Sequence, residues 1–159
     1  MQEKRKGCFN MKMILFIGIQ AVGKSEFFKQ HFYKTHIRLN LDMLKTRHRE
    51  KLLFEACIAA KQPFVVDNTN PTAEERLKYI EKAKNARFDV SGYYFQSNIN
   101  DAIICNKQRD DTVPDAALFA THRKLELPRL DEGFDSLYYV KKDGIGGFIV
   151  EKYSDECDN

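Results

Sequence analysis

Residues 18–25 read Gly-Ile-Gln-Ala-Val-Gly-Lys-Ser, a G-x-x-x-x-G-K-S pattern that few folds can accommodate. Two glycines let the backbone turn tightly and bring N–H groups close to an anion. At ordinary composition the pattern arises by chance in about one chain of this length in two hundred. Here it also has the context its chemistry requires. The apolar run Met13-Ile14-Leu15-Phe16-Ile17 precedes it, as a strand buried on both faces would read, and a helical stretch from about Lys24 to Tyr33 follows. A helix starting there points its positive end at the bound anion. The pattern therefore predicts a phosphate-binding loop between a buried strand and a helix.

The rest of the chain repeats that alternation. Further strands are expected at His36–Leu39, Pro63–Asp67, Val90–Phe95 and Leu137–Val140. Helices are expected from Asp42 to about Ala60, from Thr72 to about Ala86, from about Asn98 to Lys107, and from Pro114 to about Glu126. In the second of these, Thr72-Ala73-Glu74-Glu75 has capping-box spacing after Pro71. The first is expected to turn Leu44, Leu52, Leu53, Ala56 and Cys57 inward. Phe148-Ile149-Val150, beyond Asp143-Gly144 and Gly146-Gly147, reads as a short hairpin arm. Strands alternating with helices imply parallel crossovers and a doubly wound, mostly parallel five-stranded sheet, with all of residues 1–159 as one domain. Residues 1–11 read as a flexible lead-in or an appended remnant. In such a sheet ligands bind beyond the carboxyl ends of the strands. Gly18, Asp42, Asp67 and Thr69 all fall there, so they can converge on one cleft.

Composition narrows the class. No apolar run approaches the roughly 20 residues of a membrane helix, so no membrane partner is expected. The four cysteines Cys8, Cys57, Cys105 and Cys157 form no C-x-x-C pair and read as reduced thiols of a cytoplasmic protein. With 26 basic and 23 acidic residues the net charge is +3, which permits an anionic partner without demanding nucleic acid. A GTPase would carry an N/T-K-x-D element; Asn106-Lys107-Gln108-Arg109 fails because the Asp comes one place late, and no D-x-x-G follows Asp67. A small phosphotransferase fits the length: a P-loop kinase of the adenylate-kinase-like type with a helical lid.

Such a kinase uses ATP and Mg²⁺. The nucleotide-binding set is Gly18, Gln20, Ala21, Val22, Gly23, Lys24, Ser25 and Glu26, with Lys24 on the β- and γ-phosphates. Ser25 and Asp67, at a strand end, are the metal candidates. Asp42 stands where a general base is wanted, and equally where a helix N-cap would be. Arg109 lies in the polar segment between two helices, the lid candidate, with Lys107 next in line. Lys45, His48 and Arg49 would share one helical face, either a track for a phosphate backbone or a solvated surface.

From about Met13 to Val140 these residues resemble the 5′-hydroxyl polynucleotide kinase family, the kinase half of polynucleotide kinase-phosphatases. Val66-Asp67-Asn68-Thr69-Asn70-Pro71 is similar to the family's D-N-T-N-P segment, and Asn40-x-Asp42 to its N-R-D. Arg109 before Val113-Pro114 resembles its lid arginine. Arg123-Lys124, Pro128 and Glu132-Gly133-Phe134 resemble its C-terminal part. The resemblance implies Asp42 as base, Arg109 as the clamp on the moving phosphoryl group, and Lys45, Arg49, Thr69 and Asn70 near the acceptor. It implies ATP and the 5′ end of RNA or DNA as partners. Gln20 and Val22 replace the usual Pro and small residue of the loop. Leu41 stands where the family has Arg, and Lys45 where some members have Arg, which weakens a bidentate contact. These departures keep two alternatives open: a small-metabolite or nucleoside kinase, and a nucleotide-binding regulatory module with no acceptor.

Overall fold

A computed structural model describes residues 11–154, so the readings of residues 1–10, Cys8 and Cys157 fall outside it. The elements run β1 (Lys12–Ile17), α1 (Lys24–His31), β2 (Ile37–Leu39), α2 (Leu41–Leu44), α3 (Arg47–Ala60), β3 (Phe64–Val66), α4 (Ala73–Asn85), β4 (Asp89–Phe95), α5 (Ile99–Lys107), α6 (Asp115–Lys124), β5 (Ser136–Lys142) and β6 (Phe148–Lys152). The sheet order is β2-β3-β1-β4-β5-β6, parallel from β2 through β5. The anticipated hairpin arm is a full sixth strand, β6, pairing antiparallel with β5. Gly144 and Gly146 take φ of 85° and 94° in the turn, where a side chain would be strained.

After Lys12, β1 is apolar from Met13 to Ile17 because both faces are covered. Met13, Leu15 and Ile17 join Phe54 and Cys57 of α3 and Ile80 and Ala83 of α4. Ile14 and Phe16 join Phe27 and Phe28 of α1, Ala102 of α5 and Leu118 of α6. Helices on both faces of a mostly parallel sheet are the doubly wound arrangement.

The single helix expected from Asp42 to Ala60 is two. Lys45 takes φ 71° and its N–H closes α2 on Leu41 O; Thr46 then caps α3, its hydroxyl accepting from Arg49 N at 3.2 Å. A threonine that can cap offers the backbone a partner better than a continued helix interior, and helical periodicity alone does not register this. The inward stripe shifts accordingly. Glu50, Phe54 and Cys57 are buried, whereas Leu52 and Leu53 are 52% and 41% exposed. Among the described cysteines, Cys57 and Cys105 are unpaired. No helix among the described residues is long and apolar enough to cross a membrane.

One polar group is sealed inside this frame. The side chain of Arg76, on α4, is wholly buried. It donates to both carboxylate oxygens of Glu132 at 2.7 and 2.8 Å, and to the carbonyls of Asn70, Pro71 and Glu126, each at 3.1 Å. Removing one partner of such a pair leaves the other charge buried and unmatched, which costs about 3–5 kcal/mol. Arg76→Leu should therefore lower the free energy of urea unfolding by about that amount, more than Arg47→Leu at its half-open ion pair.

Candidate active site

The loop after β1 is held from both neighbouring strands. Gly18 N donates to Thr69 O at 3.0 Å, beyond β3. Ile19 N donates to Ser97 Oγ at 3.2 Å, beyond β4, and that hydroxyl donates to Phe95 O at 2.8 Å. Gly23 takes φ 100° at the start of α1, and a Cβ there would meet the Phe148 ring at 3.0 Å. Position 23 thus needs glycine for conformation and for room. Lys24 is buried, its ammonium donating to Gly18 O at 2.9 Å and to Ile19 O. Burial pushes this ammonium down to about 8, with the Arg109 charge acting in the same direction and Asp67 and Asp42 opposing it. All three side chains are therefore close enough to be felt at Lys24.

A cavity of about 730 Å³ opens over the loop. Its walls include Gln20, Ala21, Gly23, Lys24, Ser25 and Glu26, so the first turn of α1, with its unpaired N–H groups, faces the space. Of the remaining loop residues, Gly18 is buried and does not line it, and Val22 lines an adjoining cavity of about 290 Å³ with Ala102 and Val140. Ala21, Cys105 and Lys142 border both spaces.

Ser25 Oγ and Asp67 Oδ2 lie 3.5 Å apart, and Asp67 is 1% exposed. A hydroxyl and a carboxylate beside a phosphate site suit a hard cation such as Mg²⁺, which takes few protein oxygens and draws the rest from water and phosphate. Arg38, from the middle of β2, reaches the same pair. Its Nε and Nη2 each lie 2.7 Å from Asp67 Oδ2, and Nη2 donates to Ser25 Oγ at 2.7 Å. Sequence reasoning missed Arg38; the available signal was a lone cation between two apolar residues of a short strand.

Asp42 is not the N-cap. Asn40 is, its Oδ1 accepting from Met43 N at 3.0 Å while its Nδ2 donates to Asp67 O at 2.6 Å. Asn68 accepts from Leu41 N at 2.9 Å and donates to the buried Glu50 at 2.7 Å. Glu50 also accepts from Tyr79 Oη at 2.5 Å and Arg47 Nη1 at 3.1 Å. These bonds staple α2 to the end of β3 and leave the Asp42 carboxylate on the cavity wall. Glu50 and Tyr79 were not among the expected residues; a carboxylate in a helical stripe with Phe54 and Cys57 was the signal.

Arg109 lines the cavity from the α5–α6 segment, as do Gln108, Asp110 and Asp111; Lys107 does not. Asn106 brackets this segment, donating to Val113 O at 2.7 Å and accepting from Val113 N at 3.0 Å. Gln20 Nε2 donates to Thr121 Oγ1 at 3.0 Å, which ties the phosphate loop to α6.

The acceptor-side expectations divide. Thr69 lines the cavity. Asn70 does not: it is 3% exposed, sits at φ 44° and donates to Phe16 O at 2.8 Å, so its side chain is turned onto β1 instead of lining the cavity. Lys45 and Arg49 are off the cavity, and the break at Lys45 takes Lys45 off the helix that carries His48 and Arg49. Arg49 donates instead to Leu44 O at 3.2 Å. Arg47 is the α3 cation on the cavity wall.

Fold and loop together define a P-loop kinase. In sequence it is polynucleotide kinase-like. A bifunctional polynucleotide phosphatase/kinase of Schizosaccharomyces pombe is 25% identical over 138 residues, 82% of this chain and 34% of the relative. A protein of Acanthamoeba polyphaga mimivirus, provisionally given the same description, is 29% identical over 138 residues, 81% of this chain and 33% of the relative. The chain thus spans about a third of the length of these curated relatives. No protein-family model matches it. Solved structures share the fold. Chaetomium thermophilum Kti12 in complex with ADP-AlF3 has a TM-score of 0.65 at 17% identity, covering 82% of this chain and 89% of that one. A chain of the Pnkp1/Rnl/Hen1 RNA repair complex has 0.60 at 18%, covering 79% and 47%. A Sinorhizobium meliloti gluconokinase has 0.60 at 16%, covering 83% of each.

A depressed Lys24 makes nucleotide binding pH-dependent in a defined direction. Below about pH 8 the ammonium is charged before the triphosphate arrives; above it the amine is neutral and must regain a proton. Affinity for a non-hydrolysable ATP analogue should fall as pH rises through about 8, with proton uptake growing from near zero at pH 7 towards one at pH 9. Calorimetry in buffers of different ionisation enthalpy measures both. The same group stabilises the fold in the opposite sense: between about 8 and 10.5 the unfolded chain holds the proton and the folded chain does not, so stability rises with pH there.

Proposed function

We infer that the protein transfers the γ-phosphoryl group of ATP to the 5′-hydroxyl of a polynucleotide. The observation that carries this reading is the meeting of Asp42, Lys24 and Arg109, from three separate segments, on one cavity. In the transfer a bond forms between the acceptor oxygen and the γ-phosphorus while the bond to the β-bridging oxygen breaks. Asp42 takes the acceptor's proton. Lys24 neutralises the β- and γ-oxygens, and Arg109 meets the charge on the moving group. Mg²⁺ held by Ser25, with Asp67 directly or through water, would neutralise further phosphate charge. The smaller cavity beside Ala21, walled by Val22, Ala102 and Val140, suits a purine base.

One observation favours a second reading. Leu41 lines the cavity where the resemblance has Arg, and Lys45 and Arg49 stand off it, so the acceptor side has fewer cations than a nucleic-acid strand would use. A small-metabolite kinase would need fewer.

Incubation with labelled ATP and separate oligonucleotide, nucleoside and sugar acceptors decides between them. Label should enter the 5′ end of the oligonucleotide; label in only a small molecule supports the second reading, and ATP binding without transfer a regulatory module. Asp42→Asn should lower kcat by about 10²–10⁴-fold while ATP-analogue affinity stays unchanged. A phosphate contact at Arg47 would contribute a salt slope of roughly −0.7 for a single strand, so Arg47→Ala should raise the oligonucleotide KM and flatten its salt dependence by about one such contact. Lys45→Ala and Arg49→Ala should change that slope much less.

A further inference from the structure

We propose that Arg38 is a built-in competitor for the divalent cation, its guanidinium holding Ser25 and Asp67 until a metal–nucleotide complex displaces it. This rests on the kinase reading, in which those two side chains serve the cation. Arg38 donates two hydrogen bonds of 2.7 Å, from Nε to Asp67 Oδ2 and from Nη2 to Ser25 Oγ, and Nη2 also lies in ion-pair contact with Asp67 Oδ2 at 2.7 Å. The Ser25 hydroxyl that would meet a metal thus already accepts a bond from Nη2.

The backbone cannot relieve the conflict. Arg38 pairs with Val65 in the parallel ladder, and Asp67 N donates to Leu39 O at 2.8 Å, so both residues are fixed at neighbouring levels of β2 and β3. Asp67 has a side chain only 2% exposed, so its charge requires a cation partner at all times. Arg38 is 25% exposed, so it is the partner with a route away. A metal on Ser25 Oγ at the usual Mg–O distance would lie within about 5 Å of Nη2, and two cations at that distance repel. Ser25, Asp67 and the guanidinium therefore form an either-or site, in which Arg38 raises the metal concentration needed to assemble the nucleotide complex.

The Phe28 ring, 5.7 Å from the guanidinium carbon, is part of the same device. It gives the flat face of the guanidinium an apolar surface to rest on while its edge meets Asp67, an arrangement that a lysine ammonium cannot copy.

The test titrates Mn²⁺ as a hard divalent probe against wild type and Arg38→Met in the presence of a non-hydrolysable ATP analogue, reading free Mn²⁺ by electron paramagnetic resonance and analogue binding by fluorescence. Arg38→Met should need about tenfold less Mn²⁺ for half-occupancy, within the usual range of coupling between two sites, and should bind the analogue with correspondingly steeper metal dependence. Arg38→Lys, which keeps the charge but not the forked contact with both side chains, should fall between the two; it also serves if Arg38→Met does not fold. An unchanged or raised midpoint in the variants, with the analogue still bound, overturns the proposal alone. An analogue that binds neither wild type nor variant at any Mn²⁺ concentration overturns the kinase reading and the proposal together.

Discussion

The buried guanidinium of Arg76 is the contact on which the functional end of the molecule rests. Through Glu132 and the carbonyls of Asn70, Pro71 and Glu126 it binds the loop after β3 to the segment after α6. That loop in turn supplies Thr69 O to Gly18 N and the Asn70 amide to Phe16 O. It also supplies Asn68 to Leu41 N and Asp67 to Arg38. The phosphate loop, the segment carrying Asp42 and the metal candidates therefore share one support. Such a hub is costly to bury and is stable only because every donor finds a partner.

Charge in the site alternates in the same economical way. Lys24 lies among Asp67, Asp42 and Arg109, and burial pushes its ammonium down to about 8. Asp67 is neutralised by Arg38, and Glu50 by Arg47 with hydrogen bonds from Tyr79 and Asn68. Glu50 holds the proton on Tyr79, whose titration is driven far up by burial and by that carboxylate. These pairs hold the ends of β2, β3 and α3 beside the cavity, while Arg109 is exposed on a segment bracketed by the Asn106–Val113 bonds.

Local errors in the sequence reading have local causes. Lys45 and Arg49 seemed to share a face because helical spacing was carried through a Thr46 cap that breaks the helix. An apolar stripe through a single helix puts Leu52 and Leu53 inward; the stripe that packs is Glu50, Phe54 and Cys57, and its polar member is satisfied by Asn68 and Tyr79. The resemblance puts Asn70 near the acceptor with Thr69, yet its positive φ turns its side chain onto β1.

What the amino-acid order determined by itself was the alternation of strands and helices, the phosphate loop, and the strand ends at which Asp42, Asp67 and Thr69 stand. Each follows from short-range patterns: an apolar run, glycines at fixed spacing, a capping residue. Only the tertiary structure decided that Arg38 reaches Ser25 and Asp67, that Asn68 joins Glu50 to the segment of Asp42, and that Arg47 rather than Lys45 faces the cavity. Those outcomes depend on which strands become neighbours and where a helix breaks, and the partners lie up to tens of residues apart. A side chain's partner is set by the packing of whole elements, a quantity that no local pattern in the chain encodes.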